Sequence, residues 1–199
     1  MPNWTRNSIS VEGPKEVLDK MLADGKANEQ GVYAFSSWIP MPETYRKYDT
    51  TNHPNGEGLR VGEHVNWDKD SPIVTEELIE EFKQATIEQK QKYGVVGWYD
   101  WNCANYGCKW DMDFDYLDRI SDTELTIEVD TPWSAPANFL LTMSQRYPEL
   151  VFTADSHYEE GEYEVLEFQN GCWDQLDSGL DDWRLEMEEE YEAEHSDSE

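Results

Sequence analysis

Basic residues are what this sequence most lacks. Fifteen lysines and arginines stand against 44 aspartates and glutamates, a formal net charge of −29 over 199 residues. Binding DNA or RNA directly requires Lys and Arg to displace phosphate counterions, and anionic membrane surfaces attract the same residues. The composition argues against both as partners. No apolar run approaches the roughly 20 residues that span a bilayer, and the opening MPNWTRNSIS lacks the basic-then-apolar layout of a secretory leader. The expectation is a soluble protein working in the cytoplasm of a host cell. Cysteine is scarce as well: Cys103, Cys108 and Cys172 cannot all pair with one another. The four scattered histidines complete no zinc set around the CxxxxC of NCANYGC. Reduced thiols follow, and neither a metal nor a cofactor is expected. Absent too are GxSxG, HExxH and a Gly-rich phosphate loop between strand and helix. Carboxylates are so abundant that no catalytic pair stands out, and the chain does not read as an enzyme.

What the chain has in quantity is aromatic: nine Trp, eleven Tyr and six Phe. Disordered acidic chains are poor in these residues, so a folded body is expected. Its charge is unevenly placed. Residues 1–110 hold 17 acids and 12 bases, whereas residues 111–199 hold 27 acids against only Arg119, Arg146 and Arg184, a net of −24. The partners of such a surface are basic.

Periodicity predicts a strand at NSISVEG, a helix from Gly13-Pro14 to Leu22, and a second strand over GVYAFSSWIPMP, residues 31–42. A helix runs from Pro72 and Thr75 to the stop at Gly94. ELTIEVDT alternates as a strand, SAPANFLLTMSQRYP reads as a capped helix, and the stretch from Leu150 to Gly171 reads as a hairpin turning at Glu160-Gly161. With an insertion at 43–110 set aside, the order is strand, helix, strand, strand, helix, strand, plus one hairpin strand. That order predicts an α+β, ferredoxin-like antiparallel sheet with two helices on one face, carrying a large helical and aromatic insertion. The domain is expected over 1–171, followed by an acidic C-terminal extension, 172–199, partly disordered.

The acids raise the functional question. KWDMDFDYLD spaces Asp111, Asp113 and Asp115 as a calcium loop would, but Tyr116 stands where that loop needs Gly. A strand explains the alternation better, with Met112, Phe114 and Tyr116 on one face and the three aspartates on the other. The plainer meaning is a solvated face. The sharper one is a row of carboxylates about 6.6 Å apart, comparable with successive phosphates along a winding strand. Glu159, Glu160, Glu162 and Glu164 load the predicted hairpin as well. The aromatic run holding Trp98, Tyr99, Trp101, Tyr106 and Trp110 reads either as a small core for the insertion or as interface anchors.

Five motifs in order, MPNWTRN, WIPMPE (38–43), NYGCKWD (105–111), TPWSAP (131–136) and HYEEGEYE (157–164), resemble the Api92-like family of phage and plasmid proteins, also grouped with the YubB-type proteins. The resemblance runs from residue 1 to about 171. It implies a ferredoxin-like sandwich and a mobile-element origin, and no established activity. Thr5, Tyr106 and Cys108 depart from the family pattern. Together these lines lead to an acidic binding protein, a counter-defence inhibitor that occupies a basic nucleic-acid-binding surface of a host protein as a DNA mimic does. Asp111, Asp113, Asp115, Glu159, Glu160 and Glu162 are expected to accept the partner's Lys and Arg, with Trp98, Trp101 and Trp110 as anchors. The alternative is a small-ligand or nucleotide-processing protein, its pocket formed by Asn105, Tyr106, Lys109, Trp110 and Trp133, with Lys109 holding an anionic group.

Overall fold

Alternation along Trp4–Glu12 (β1) sorts its side chains: Thr5, Asn7, Ile9 and Val11 are buried, while Arg6, Ser8 and Glu12 face water. The computed structural model describes residues 2–66, 70–185 and 187. It places β1 inside a six-stranded antiparallel sheet with Tyr116–Ser121 (β2), Glu124–Pro132 (β3), Val151–Tyr158 (β4), Glu162–Gln169 (β5) and Cys172–Leu180 (β6). The strand order is β2-β3-β1-β4-β5-β6. The first four strands, linked through helices Lys15–Asp24 (α1) and Ala137–Arg146 (α5), form the ferredoxin-like arrangement, and β5 and β6 widen it. Register makes one face apolar. Ile9 lies between Ile127 and Ala154, Val11 between Leu125 and Phe152, and Phe152 faces Phe168. Leu18 and Met21 of α1 and Phe139, Leu140 and Met143 of α5 are buried with them. At about 1.5–3 kcal/mol for each large apolar side chain withdrawn from water, this face is the main source of the unit's stability.

Two expectations differ from the structure. Residues 31–42 form no strand; they hold the 3₁₀ turn Phe35–Ser37, and β2 is supplied instead by Tyr116–Ser121. Phe35, Ser37, Trp38 and Ile39 are buried almost in succession, where a strand buries every second residue. Phe35 packs on Phe139, Tyr106 and Phe114 at ring distances of 4.8, 5.3 and 5.6 Å. The Trp38 indole N–H donates to the Met21 carbonyl at 2.8 Å. Second, the domain does not stop at Gly171. Cys172–Leu180 pair with β5 from Gln169↔Cys172 to Glu162↔Leu180, and Asp181 N–H donates to the Gly161 carbonyl at 2.7 Å. This strand is exposed along eight of its nine residues, so its composition resembles a tail. The expected disorder of the last residues concerns 188–199, which lie outside the described residues.

Residues 40–104 form a second compact unit, and the first comprises residues 1–39 and 105–199. The second holds Glu43–Lys47 (α2), Glu76–Tyr93 (α3) and most of Trp98–Tyr106 (α4). Thr75 caps α3 by accepting the Leu78 N–H at 3.1 Å, and Gly94 ends it with φ 82°, the left-handed conformation glycine takes freely. Gln89, fully buried, accepts from the Thr50 hydroxyl at 2.6 Å and the Gly97 N–H at 3.1 Å. It donates in turn to the Thr44 carbonyl at 3.0 Å. The insertion is thus 40–104 rather than 43–110, because Asn105–Trp110 pack with the first unit.

Buried phenols make the fold sensitive to alkali. Burial pushes the Tyr45 hydroxyl up to about 12, and burial with a carboxylate neighbour raises Tyr147 beside Asp24 and Tyr158 beside Glu164. An unfolded chain ionises these groups near about 10. The stability they contribute is therefore complete below that pH and is lost as pH rises above it, through about 12 for Tyr45 and higher still for the other two. Urea midpoints should fall between about pH 9.5 and 11.5, with these three tyrosines ionising only on unfolding in ultraviolet absorbance. An unchanged midpoint would contradict the assignment.

Candidate protein-binding surface

The sheet face opposite the helices follows from register alone. It carries Glu12, Asp118, Glu124, Glu128, Asp130, Asp155, Glu167, Asp174 and Asp177. Arg6 is the sole lysine or arginine that the described strands place there, 3.7 Å from Asp130. Glu167 stands directly opposite Asp174, and Glu12 opposite Glu124; like charges in such pairs destabilise a sheet. Few side chains soften the field: the Ser8 hydroxyl donates to Glu128 at 2.8 Å. His157 lies between Asp181 at 2.7 Å and Asp155 at 3.2 Å, stacked on Tyr163.

The acids expected to act are gathered at the end of this sheet where β1, β2 and β5 begin. Asp111, Asp113 and Asp115 do not form a strand face, since β2 begins only at Tyr116. Their run is irregular because two of them bond the main chain. Asp111 accepts the Ser36 N–H at 2.9 Å, and Asp115 accepts the Asp130 N–H at 3.2 Å. Asp113 makes a backbone bridge to Ala34. All three remain exposed. In the hairpin turn, Glu159 accepts the Trp4 N–H at 2.9 Å and returns its own N–H to the Trp4 carbonyl at 3.1 Å. Glu160 accepts from the Asn3 amide, and Glu162 opens β5, exposed.

Beside them sits an aromatic cluster. Trp4 and Trp133 are 39% and 48% exposed, large values for indoles, which ordinarily bury most of their area. Trp110 lies between them, its ring 6.1 Å from Trp4 and 6.2 Å from Trp133. The Lys109 ammonium caps the pair, 4.9 Å from the Trp110 centroid and 5.2 Å from that of Trp133. Trp133 has φ 66°, a conformation that costs a bulky residue energy and that clusters at functional sites. Hydrogen bonds hold it there. Its N–H donates to the Asn3 carbonyl at 2.8 Å, the Thr131 hydroxyl to the Ser134 carbonyl at 2.7 Å, and the Ser134 hydroxyl to the Gly107 carbonyl at 2.7 Å.

Other expected residues part company. Trp101 is only 4% exposed, packed 6.0 Å from Tyr45 inside the second unit, and so is no surface anchor. Trp98 is half-buried against Tyr99 in that unit. Tyr106 is fully buried and donates its hydroxyl to the Ile39 carbonyl at 2.9 Å. The expected pocket therefore divides: Tyr106 is core, Asn105 is half-buried, and Lys109, Trp110 and Trp133 come together at the surface. Trp4 completes that group and was signalled only by its place in the opening motif. Sequence spacing singles out Glu162 of β5 but not Asp155, Glu167, Asp174 or Asp177, which share a face only once the register of β4, β5 and β6 is known. Among the described residues, no group of three His, Cys, Asp or Glu side chains is placed to hold a metal, and no helix is long and apolar enough to cross a membrane.

Residues 105–197 match the family model described as the ferredoxin-like domain in Api92-like protein. No curated protein matches the chain. Among solved structures it is similar to the protein api92 from Yersinia pseudotuberculosis, at 10% identity and a TM-score of 0.48, over 90% of this chain and 98% of that one.

Proposed function

Residues 105–197 match the model of the ferredoxin-like domain in Api92-like protein, which describes a fold and no chemistry, so we propose a function from this chain's own surface: it binds a basic protein surface. In its most concrete form it is a counter-defence inhibitor from a phage or other mobile element, acting inside the host cell. There it covers a Lys- and Arg-lined site that otherwise holds nucleic acid. The observation that carries this reading is the open sheet face, where nine carboxylates share one arginine. Strands about 4.8 Å apart and alternate residues about 6.6 Å apart set these acids on a rigid lattice. Such a lattice presents charge to a basic channel much as a phosphate backbone does. Like-charge pairs such as Glu167 and Asp174 cost stability that solubility alone does not require.

The test is displacement of a labelled DNA duplex from purified bacterial DNA-binding proteins, restriction enzymes among them, followed by fluorescence anisotropy. The wild type should displace duplex at low salt and lose potency as salt shortens the screening length to about 10 Å or less. Asp155→Asn, Glu167→Gln, Asp174→Asn and Asp177→Asn together should weaken it at least about 4-fold, each exposed charge contributing about 0.2–1 kcal/mol. Displacement by the fourfold variant at wild-type potency, or none by the wild type from any protein tried, sinks the proposal.

A further inference from the structure

The wedge between Trp110 and Trp133 already holds a cation, and it is the chain's own. The two rings are inclined by 40° with centroids 6.2 Å apart, and the Lys109 ammonium sits at their mouth within 5.2 Å of both. Indole faces carry negative electrostatic potential and attract an ammonium or guanidinium at this range. They do not attract anions. Glu159 is fixed beside the cluster through its two bonds to Trp4, and Glu160 through Asn3, so the field there favours positive charge as well. Trp133 is held in its strained conformation with nearly half its surface in water, a cost that packing of the unit's core does not call for.

We propose that this wedge is a receptor for an arginine or lysine side chain of the basic partner, with Lys109 keeping its place in the free protein. The inference rests on the reading of a basic partner and adds where that partner is anchored. On docking, the incoming side chain takes the ring faces and Lys109 swings outward. The arriving cation therefore competes with a resident one, which holds affinity for isolated cations low and reserves the site for a surface that the open sheet face also engages. Arginine suits the wedge best, since its planar guanidinium stacks on indole and sheds water more readily than an ammonium.

The probe is a blocked tetra-arginine peptide, titrated against the full chain and read by tryptophan fluorescence. Lys109→Met removes the resident cation. Lys20→Met, on α1, changes the net charge equally and serves as the reference, and Lys109→Gln is the second variant should Met disturb the fold. The Lys109 variants should bind the peptide about 3- to 10-fold more tightly than Lys20→Met, the size of one cation–π contact. Trp133→Gly suits the left-handed backbone and should leave the circular dichroism spectrum intact while weakening peptide binding by a similar factor. Equal affinities for the Lys109 and Lys20 variants overturn the proposal, as does wild-type binding by Trp133→Gly. The peptide result holding while duplex displacement fails would remove the nucleic-acid-channel partner and leave the wedge. The converse would remove the wedge alone.

Discussion

A chain cut after Gly171 is expected to lose most of its cooperative folding, whereas one cut after Leu185 should unfold at nearly the same urea concentration as the full chain. The first cut removes β6 and its ladder with β5 from Cys172 to Leu180. It uncovers the inner-face side chains that β6 shelters, Leu166 and Phe168, now 6% and 1% exposed, and takes away Trp173, the cross-strand neighbour of Phe168. Partial exposure of two large apolar side chains with loss of a strand's hydrogen bonds amounts to about 3–5 kcal/mol. That is a large share of a domain's usual 5–15 kcal/mol, roughly. The second cut keeps β6 and keeps Trp183, whose ring lies where a Cβ on Gly161 would be 2.5 Å away, and removes eight acids. Less self-repulsion leaves the fold no weaker, while duplex displacement should slow through lost steering. Urea titration of the three chains by circular dichroism decides the matter. Coincident midpoints for the 171 cut and the full chain would mean that β6 is an appendage.

Why the strand hid from sequence reasoning is instructive. CWDQLDSGL breaks its alternation at a bulge, where Val165 faces Asp177 but the next residue, Leu166, faces Gln175. It has water on both sides, so neither face is marked by apolar residues. β3 and β4 were legible for the opposite reason. Leu125, Ile127 and Val129 alternate with Glu124, Thr126 and Glu128, as a half-buried strand must. GVYAFSSWIPMP misled because its apolar density is that of a strand while its burial is consecutive, a property of the aromatic cluster it joins and invisible without Phe114, Tyr106 and Phe139. The site was legible in part. Lys109, Trp110 and Trp133 were named together from motifs, but a cation resting on two rings is a statement about side-chain direction, which spacing does not carry. The acidic face needed the register of six strands.

The other large effect concerns Asn7, which ties the fold to the site. Its side chain is fully buried under the end of the sheet that bears the tryptophans. The amide donates to the Thr131 hydroxyl at 2.8 Å, to the Val129 carbonyl at 2.9 Å and to the Thr5 carbonyl at 3.0 Å, and its oxygen accepts from the Ser156 hydroxyl at 2.9 Å. Asn7→Leu keeps a similar branching and removes all four bonds. Ser156, fully buried, then loses its acceptor without gaining water, at about 1–3 kcal/mol for the stranded hydroxyl, while Thr131 loses the Asn7 donor and keeps its own bond to the Ser134 carbonyl. A total loss of about 2–4 kcal/mol in urea titration is expected. Adding Ser156→Ala to Asn7→Leu should recover part of it, because a donor removed with its acceptor strands nothing. A cost below about 0.5 kcal/mol, within the range of ordinary surface changes, would contradict the network. There is a readout beyond stability. Thr131 bonds both Asn7 and the Ser134 carbonyl, so it links the buried amide to the turn that strains Trp133. With Asn7 replaced, that turn is free to relax, and the threefold or greater gain in tetra-arginine affinity on adding Lys109→Met should shrink toward none. A folded Asn7→Leu chain that keeps the full gain would show that the wedge is shaped by the surface bonds of Asn3 and Glu159 alone.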